Sequence, residues 1–426
     1  MEISRYVLRI PLRRNGEKEI IFSTLTRKMA ITRKDDTNKL FSGDFKAFSD
    51  GYLNKLKESG IIREAPVDEL ELVEYYLNQT KFQNVAQITI ILTTYCNLAC
   101  IYCYERTLQL KERKMDLKTA KKTIDFLKQL VKTKSISHLS LEFYGGEPFL
   151  EYPLMKFIAR QLHKFCQNRR VKFNFGIMTN GTTIPENSVT ELIEIGLKRI
   201  QISLDGPPEI HDKRRPTKLG EPTFKAILKN IKQVSQLMPV NVRVNIDWEN
   251  EKSIAELFSI FCKHGLKNRI NIYFVPVIPE RDQYFKKDRK SMSSINWEEI
   301  IQIGSKSGIR NTMSYYATGP CHFSSDNSFA IDPRGYLYKC LPLPETKVGH
   351  VTSPILNQRH IESIESNPWK YSDECLQCVY LPLCFGGCRY KAFVNSGDYG
   401  AIFCEKAIFE KMGNKLIQLR GELIEK

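Results

Sequence analysis

From Val85 onward the chain alternates between two patterns. Short apolar runs with period-two alternation fall at Ile88 to Thr93, His138 to Tyr144, Val171 to Met178, Arg199 to Leu204, Asn241 to Asp247 and Ile270 to Pro276, and these read as strands. Between them, apolar residues recur every third or fourth position near Leu117 to Lys132, Leu154 to Cys166, Ser188 to Ile195, Thr223 to Leu237 and Ile254 to His264, as on amphipathic helices. Strands alternating with helices imply βα units and a parallel sheet. Six such units predict an α/β fold of partial (β/α)6, TIM-like barrel type over residues 86–310. The charge run Lys286 to Ser294 reads as a surface loop.

The first 85 residues follow another pattern. Tyr6 to Pro11 and Lys18 to Phe22 alternate around Asn15-Gly16, a hairpin signal, and Lys28 to Thr32 extends that small sheet. A helix is predicted from Asp44 to Glu58, with Gly60 as its stop, and a charged linking helix from Glu69 to Gln79. This layout is winged-helix-like.

Composition narrows the class. The 426 residues are 42% hydrophobic and 26% charged, which suits a globular protein with more than one domain. No apolar run reaches the roughly 18 residues that cross a bilayer, and MEISRYVLRI lacks a signal-peptide pattern, so a cytoplasmic location with no membrane is expected. Residues 1–85 hold 15 Lys+Arg against 13 Asp+Glu. Of the net charge of +16, therefore, +14 lies beyond them, and the basic excess does not form a nucleic-acid-binding arm.

Twelve cysteines in a chain of this kind point to metal ligation rather than disulfides. Ten fall in two constellations, leaving Cys166 and Cys262 as expected buried apolar side chains. The first is Tyr95-Cys-Asn-Leu-Ala-Cys-Ile-Tyr-Cys, which places Cys96, Cys100 and Cys103 in C-x3-C-x2-C spacing just after the first strand. Three thiolates can hold three irons of a cubane and leave the fourth open. A structural zinc site is the rival, although zinc takes four ligands and no fourth Cys or His lies nearby in sequence.

This spacing, with Tyr102 before the last cysteine, resembles that of radical S-adenosylmethionine (radical SAM) enzymes. The resemblance implies a 4Fe-4S cluster that binds S-adenosylmethionine (SAM) and yields a 5′-deoxyadenosyl radical. The next strand ends continue it in order: Gly145-Gly146-Glu147-Pro148, then Thr179-Asn180-Gly181, then Ser203-Leu204-Asp205-Gly206-Pro207 followed by His211 and Arg215. In such barrels chemistry gathers at the C-terminal ends of strands. The likeness implies SAM contacts from Tyr102, Gly145, Gly146, Glu147, Pro148, Thr179, Asn180, Ser203, Asp205, Arg243 and Asn245, with the Glu147 carboxylate or nearby carbonyls taking the SAM ammonium. Taken singly, these tripeptides are turn signals, and His211 is either a cap or a proton carrier.

The second constellation is Cys321, Gly335, Cys340, then Cys375, Cys378, Cys384 and Cys388 in C-x2-C-x5-C-x3-C, then Cys404. It resembles the SPASM domain, expected over residues 311–426, with paired zinc ribbons as the alternative. The resemblance implies two auxiliary 4Fe-4S clusters, three clusters in all. By family pattern Cys375, Cys378, Cys384 and Cys404 hold one. Cys321, Cys340 and Cys388 hold the other, one ligand short, so that His322, a tyrosine or a substrate cysteine completes it.

The likeness as a whole implies a radical SAM/SPASM maturase that forms Cys-derived thioether crosslinks in a ribosomally synthesised precursor peptide. Residues 1–85 would bind the leader by β-augmentation, and a flavodoxin- or ferredoxin-type protein would donate electrons. Alternatives are carbon-carbon crosslinking, epimerisation and formylglycine formation as in anaerobic sulfatase maturation. From another class comes a non-catalytic iron-sulfur or zinc regulator.

Overall fold

The computed structural model describes residues 1–12, 16–64, 68–103, 111–277, 295–313, 320–340, 346–353 and 356–425. Asn15 and the run Lys286 to Ser294 lie outside the described residues. Two compact units emerge: Met1–Lys81, Tyr316–Ser324 and Ser363–Lys426 form one, while Phe82–Tyr315 and Ser325–Glu362 form the other. Among the described residues no helix is long and apolar enough to cross a membrane.

In the first unit β1 (Glu2–Ile3) pairs with β5 (Ile62–Arg63), and β2 (Val7–Pro11), β3 (Lys18–Ser23) and β4 (Met29–Arg33) form an antiparallel sheet. The stretch predicted as one helix from Asp44 is split into a 3-10 turn at Phe45–Ala47 and a helix at Asp50–Glu58. Ser49 causes the break, because its side chain accepts from Tyr52 N and caps a fresh start. A helix at Lys34–Phe41 precedes the turn; sequence pattern gave no sign of it, since only Thr37 and Leu40 are buried there. Ile10, Leu12, Ile20 and Phe22 pack with Tyr380, Leu383 and Phe409, and Tyr6, Val73 and Leu77 pack with Trp369 and Leu381. The amino- and carboxy-terminal segments thus share cores that local patterns could not pair.

The second unit is built on one ten-stranded sheet. Its strands are β6 (Val85–Thr93), β7 (His138–Gly145), β8 (Lys172–Thr179), β9 (Leu197–Ser203), β10 (Val240–Ile246), β11 (Ile270–Pro276), β12 (Arg310–Met313), β13 (Ser328–Ile331), β14 (Tyr336–Tyr338) and β15 (Lys347–His350). The order is β12-β11-β10-β9-β8-β7-β6-β13-β14-β15. Strands β6 to β12 are parallel to their neighbours, β13 is parallel to β6, and β14 and β15 return antiparallel.

Six of these strands match the alternating runs, and four go beyond the predicted six. Three of the additions, β13 to β15, come from the sequence assigned to the SPASM segment. All four residues of β13 are buried, so period-two alternation is absent and the strand is invisible to pattern reading. Gly335 (φ +89°) makes the turn between β13 and β14, where a side chain would strike Val351. That requirement explains the glycine between Cys321 and Cys340.

Helices between the parallel strands bury regular stripes. In Leu117–Thr133, capped by Asp116 accepting from Thr119 N at 2.6 Å, the stripe is Ala120, Thr123, Ile124, Leu127, Leu130 and Val131. Truncating Leu127 to Ala would cost about 2–5 kcal/mol. Because successive strands are neighbours and crossovers of this type take one hand, the helices collect on one face, as in a barrel. The strand ends that follow β6, β7, β8, β9 and β10 then meet at one rim.

Candidate active site

The loop carrying Cys96, Cys100 and Cys103 leaves β6 at Thr93 and rests on the end of β7. Gly146 N donates to Thr93 O at 2.8 Å and Glu147 N to Tyr95 O at 3.0 Å. A Cβ on Gly145 (φ +128°) would collide with Thr93 O, and one on Gly146 with Tyr95 O. The two glycines therefore admit the backbone that leads into Cys96. On its other side the loop pairs with residues 214–218: Ala99 N donates to Pro216 O at 2.8 Å, Ile101 N to Arg214 O at 3.0 Å, and Lys218 N to Asn97 O at 3.1 Å.

Glu147 is fully buried. Its Oε1 accepts from Phe149 N (2.9 Å) and Thr179 Oγ1 (2.8 Å), and Oε2 from Asn180 N (2.7 Å). Burial raises its pKa to about 6, against the opposing pull of those donors. With both oxygens engaged, this buried carboxylate ties the ends of β7 and β8 together. Pro148, also buried, opens the 3-10 turn that follows. Asn180 completes the link by donating to Cys96 Sγ at 3.6 Å and to Asn97 Oδ1 at 2.9 Å.

Tyr102 is the second junction. Its hydroxyl donates to Asp205 Oδ2 and accepts from Arg215 Nη1 (2.7 Å) and Asn245 Nδ2 (3.0 Å). Asp205, fully buried, also accepts through Oδ1 from Asn245 N at 3.0 Å. Burial first, then the Asp205 charge, holds the Tyr102 hydroxyl well above its ordinary pKa. Ser203 lies opposite Arg243 across β9 and β10, and Arg243 Nε donates to Asn245 Oδ1 at 2.9 Å.

His211 is buried between Asp205 N (3.1 Å to Nδ1) and Thr223 Oγ1 (3.1 Å to Nε2). Burial lowers its pKa to about 4, and its two ring nitrogens bridge the Asp205 and Thr223 segments. The expected residues of the first constellation therefore assemble into one site. Arg215, singled out in the sequence after the Asp-Gly-Pro turn, joins them, and so do Asn97 and Arg214, which the sequence reading missed, the only hint being their place beside Cys96 and Arg215.

In the first unit Cys375, Cys378, Cys384 and Cys404 line one cavity of about 800 Å³ with Tyr380, Leu381 and Phe409. Gly387 (φ +85°) lets this loop approach Phe403 O, next to Cys404. Arg389 fastens the arrangement, donating to Gly387 O (3.0 Å), Tyr399 O (3.0 Å) and Ala401 O (3.0 Å). Cys321 and Cys388 are exposed and Cys340 is partly buried. Cys166 is buried as expected, whereas Cys262 is exposed, a correction to the sequence reading. The buried stripe of its helix is Ile254, Leu257, Phe258 and Phe261, and Cys262 falls beside it.

Both cysteine sets suit iron-sulfur ligation. Burial pushes the Cys96 and Cys384 thiols up to about 12, as it pushes the isolated Cys166 thiol up to about 11; a bound metal ion would offset that penalty. Among the described residues no three Cys, His, Asp or Glu side chains close around a point the size of one ion. The four thiols instead ring a cavity.

Residues 90–261 match the radical SAM superfamily. A cysteine-type anaerobic sulfatase-maturating enzyme of Clostridium novyi is 25% identical over 75% of this chain and 93% of its own. Among solved structures, anSMEcpe with bound AdoMet and Cp18Cys peptide aligns at TM-score 0.61 and 18% identity, covering 79% of this chain and 99% of its own. Streptococcus suis SuiB bound to precursor peptide SuiA aligns at 0.56 and 15%, covering 94% and 98%. These last two likenesses concern the fold. The chain is an enzyme that carries a radical SAM domain at residues 90–261.

Proposed function

We propose that this enzyme cleaves SAM to a 5′-deoxyadenosyl radical and uses it to join a cysteine sulfur to a carbon of a ribosomally synthesised precursor peptide. The observation that carries this reading is the three-cysteine loop gripped by the ends of β7, β8, β9 and β10. When bound at Cys96, Cys100 and Cys103, a 4Fe-4S cluster supplies the electron for SAM cleavage and an open iron for SAM itself.

The chain's own residues position the reactants. Asn180 steadies the Cys96 sulfur, and Tyr102 locks the loop to Asp205 and Asn245. Ser203 and Arg243, neighbours across β9 and β10, would face the SAM carboxylate, Arg243 being held by its Nε donating to Asn245 Oδ1. Holding the radical against one hydrogen among many is the main catalytic task. Cys375, Cys378, Cys384 and Cys404 would hold an auxiliary cluster, and Cys321, Cys340 and Cys388 a third.

The greater share of this chain matched by the SuiB fold than by the anSMEcpe fold supports a leader-binding role for the amino-terminal segment. A flavodoxin- or ferredoxin-type donor would provide electrons. The second reading, oxidation of Cys or Ser to formylglycine, is favoured by the likeness to the Clostridium novyi enzyme.

Co-expression with a cysteine-rich precursor peptide and intact-mass analysis with and without alkylation separates the readings. A thioether removes two hydrogens and hides the cysteine. Carbon-carbon linkage removes two hydrogens and leaves the thiol reactive, formylglycine loses the sulfur, and epimerisation leaves the mass unchanged.

A further inference from the structure

Arg214 and Arg215 are adjacent, both buried, and differently satisfied. Arg214 donates to both oxygens of Asp247 (3.0 and 2.8 Å), to Glu249 (3.1 Å) and to Asn245 O (3.4 Å). Arg215 is 7% exposed. Among the described residues its side chain has one hydrogen bond, Nη1 to the Tyr102 hydroxyl, and its buried Nε has no hydrogen-bond partner.

A guanidinium carries five N–H donors, and a buried donor left unsatisfied costs about 1–3 kcal/mol. Among the described residues no carboxylate hydrogen-bonds this cation. Its Nη1 reaches at 2.7 Å the hydroxyl of Tyr102, which lies between Cys100 and Cys103 in the cysteine loop. Its backbone is fixed on both sides: Arg215 N donates to His211 O at 2.8 Å, and Thr223 Oγ1 donates to Arg215 O at 2.8 Å. The neighbouring pairing of Ala99 with Pro216 fixes the cysteine loop against the same segment. The guanidinium is thus held against the cysteine loop through Tyr102, with its buried Nε unused.

We propose that Arg215 is the counter-charge of the sulfur centre held by Cys96, Cys100 and Cys103, and that it raises the reduction potential of that centre. The inference rests on the cluster reading of those cysteines. Net charge and hydrogen bonds to sulfur are the levers that set such potentials. A fixed positive charge in a water-poor site favours the reduced, more negative state. Arg215 is a positioning residue here, since it acts through the ligand loop.

The test uses the anaerobically reconstituted full chain as wild type, Arg215→Gln and Arg215→Lys. The midpoint potential is read from the electron paramagnetic resonance signal that SAM perturbs. Arg215→Gln is expected to make reduction about tenfold less favourable, a fall of about 59 mV for a one-electron couple, while Arg215→Lys keeps most of the wild-type value. An unchanged potential in a fully loaded Arg215→Gln would overturn the proposal.

If Arg215→Gln loads poorly, full loading of Arg215→Lys still supports a charge role. Equal failure of both variants would show that only the shape of arginine matters, and would also overturn it. A wild type with no SAM-responsive signal would instead remove the cluster reading itself.

Discussion

The two cysteine constellations are held in place by different means. The Cys96 loop is seated on the ends of four parallel strands and fixed by the Glu147 backbone N–H and by the side chains of Asn180, Asp205 and Asn245. The Cys375 to Cys404 set sits on short helical turns and is fastened largely by one guanidinium donating to backbone carbonyls. The first arrangement ties its loop into a network around the fully buried carboxylates Glu147 and Asp205; the second lines a cavity with Tyr380, Leu381 and Phe409 beside Glu374 and Lys406 at its polar part. A site that must bind a polar substrate and move charge needs the former, whereas a site that only holds a cluster can be built from the latter.

This contrast can be broken at several points. Replacing Cys96, Cys100 and Cys103 together with Ala should abolish SAM cleavage and lower iron from about 12 to about 8 per chain, as three cubanes losing one require; elemental analysis after reconstitution reads this directly. Zinc, or about 4 irons, in the wild type would give up the iron-sulfur reading of the second set. Gly146→Ala forces a Cβ into Tyr95 O and should cut SAM cleavage by about 100-fold, since small misplacements near the chemistry cost that much, while the second set keeps its iron.

Arg389→Gln should do the converse, destabilising the Cys375 to Cys404 loops by about 1–3 kcal/mol through orphaned carbonyls and leaving SAM cleavage by the first site measurable. Equal iron loss at both sites in either variant would erase the distinction.

A smaller effect concerns pH. The folded-state pKa of Glu147, about 6, lies above the ordinary 4.5, so its contribution to stability is fully present below about 4.5 and is lost as pH rises through about 6. The loss is about 2 kcal/mol. Denaturant midpoints of wild type and Glu147→Gln, compared at pH 4.5 and 7.5, should differ in slope in that sense. A pH dependence unchanged by the substitution would refute the assignment. Smallest of all, Cys262→Ser should leave iron content unchanged, and native-state alkylation should mark Cys262 but not Cys166, following their exposure.

Much of this was legible in the residues. Alternation at period two and recurrence at every third or fourth position located β6 to β11 and their helices, because each element buries one face. The spacing of Cys96, Cys100 and Cys103 and the Gly-Gly-Glu-Pro segment named the site. What escaped is equally specific. β13 is buried throughout and lacks a pattern, Ser49 restarts a helix through a cap that looked internal, and Cys262 sits one position off a buried stripe. Glu147 and Arg215 were visible as residues, but whether a side chain faces a ligand or a neighbouring strand depends on contacts far apart in sequence.

The sequence by itself determined the order of elements, the three-thiol loop at the end of the first parallel strand and the second set of cysteines, because these depend on spacing along one chain. Only the tertiary structure decided that the Glu147 carboxylate joins strand ends, that Tyr102 binds Asp205, Arg215 and Asn245, and that the amino- and carboxy-terminal segments share a core. Those outcomes follow from burial, which requires each polar group to find a partner and each apolar face a cover wherever in the chain they lie.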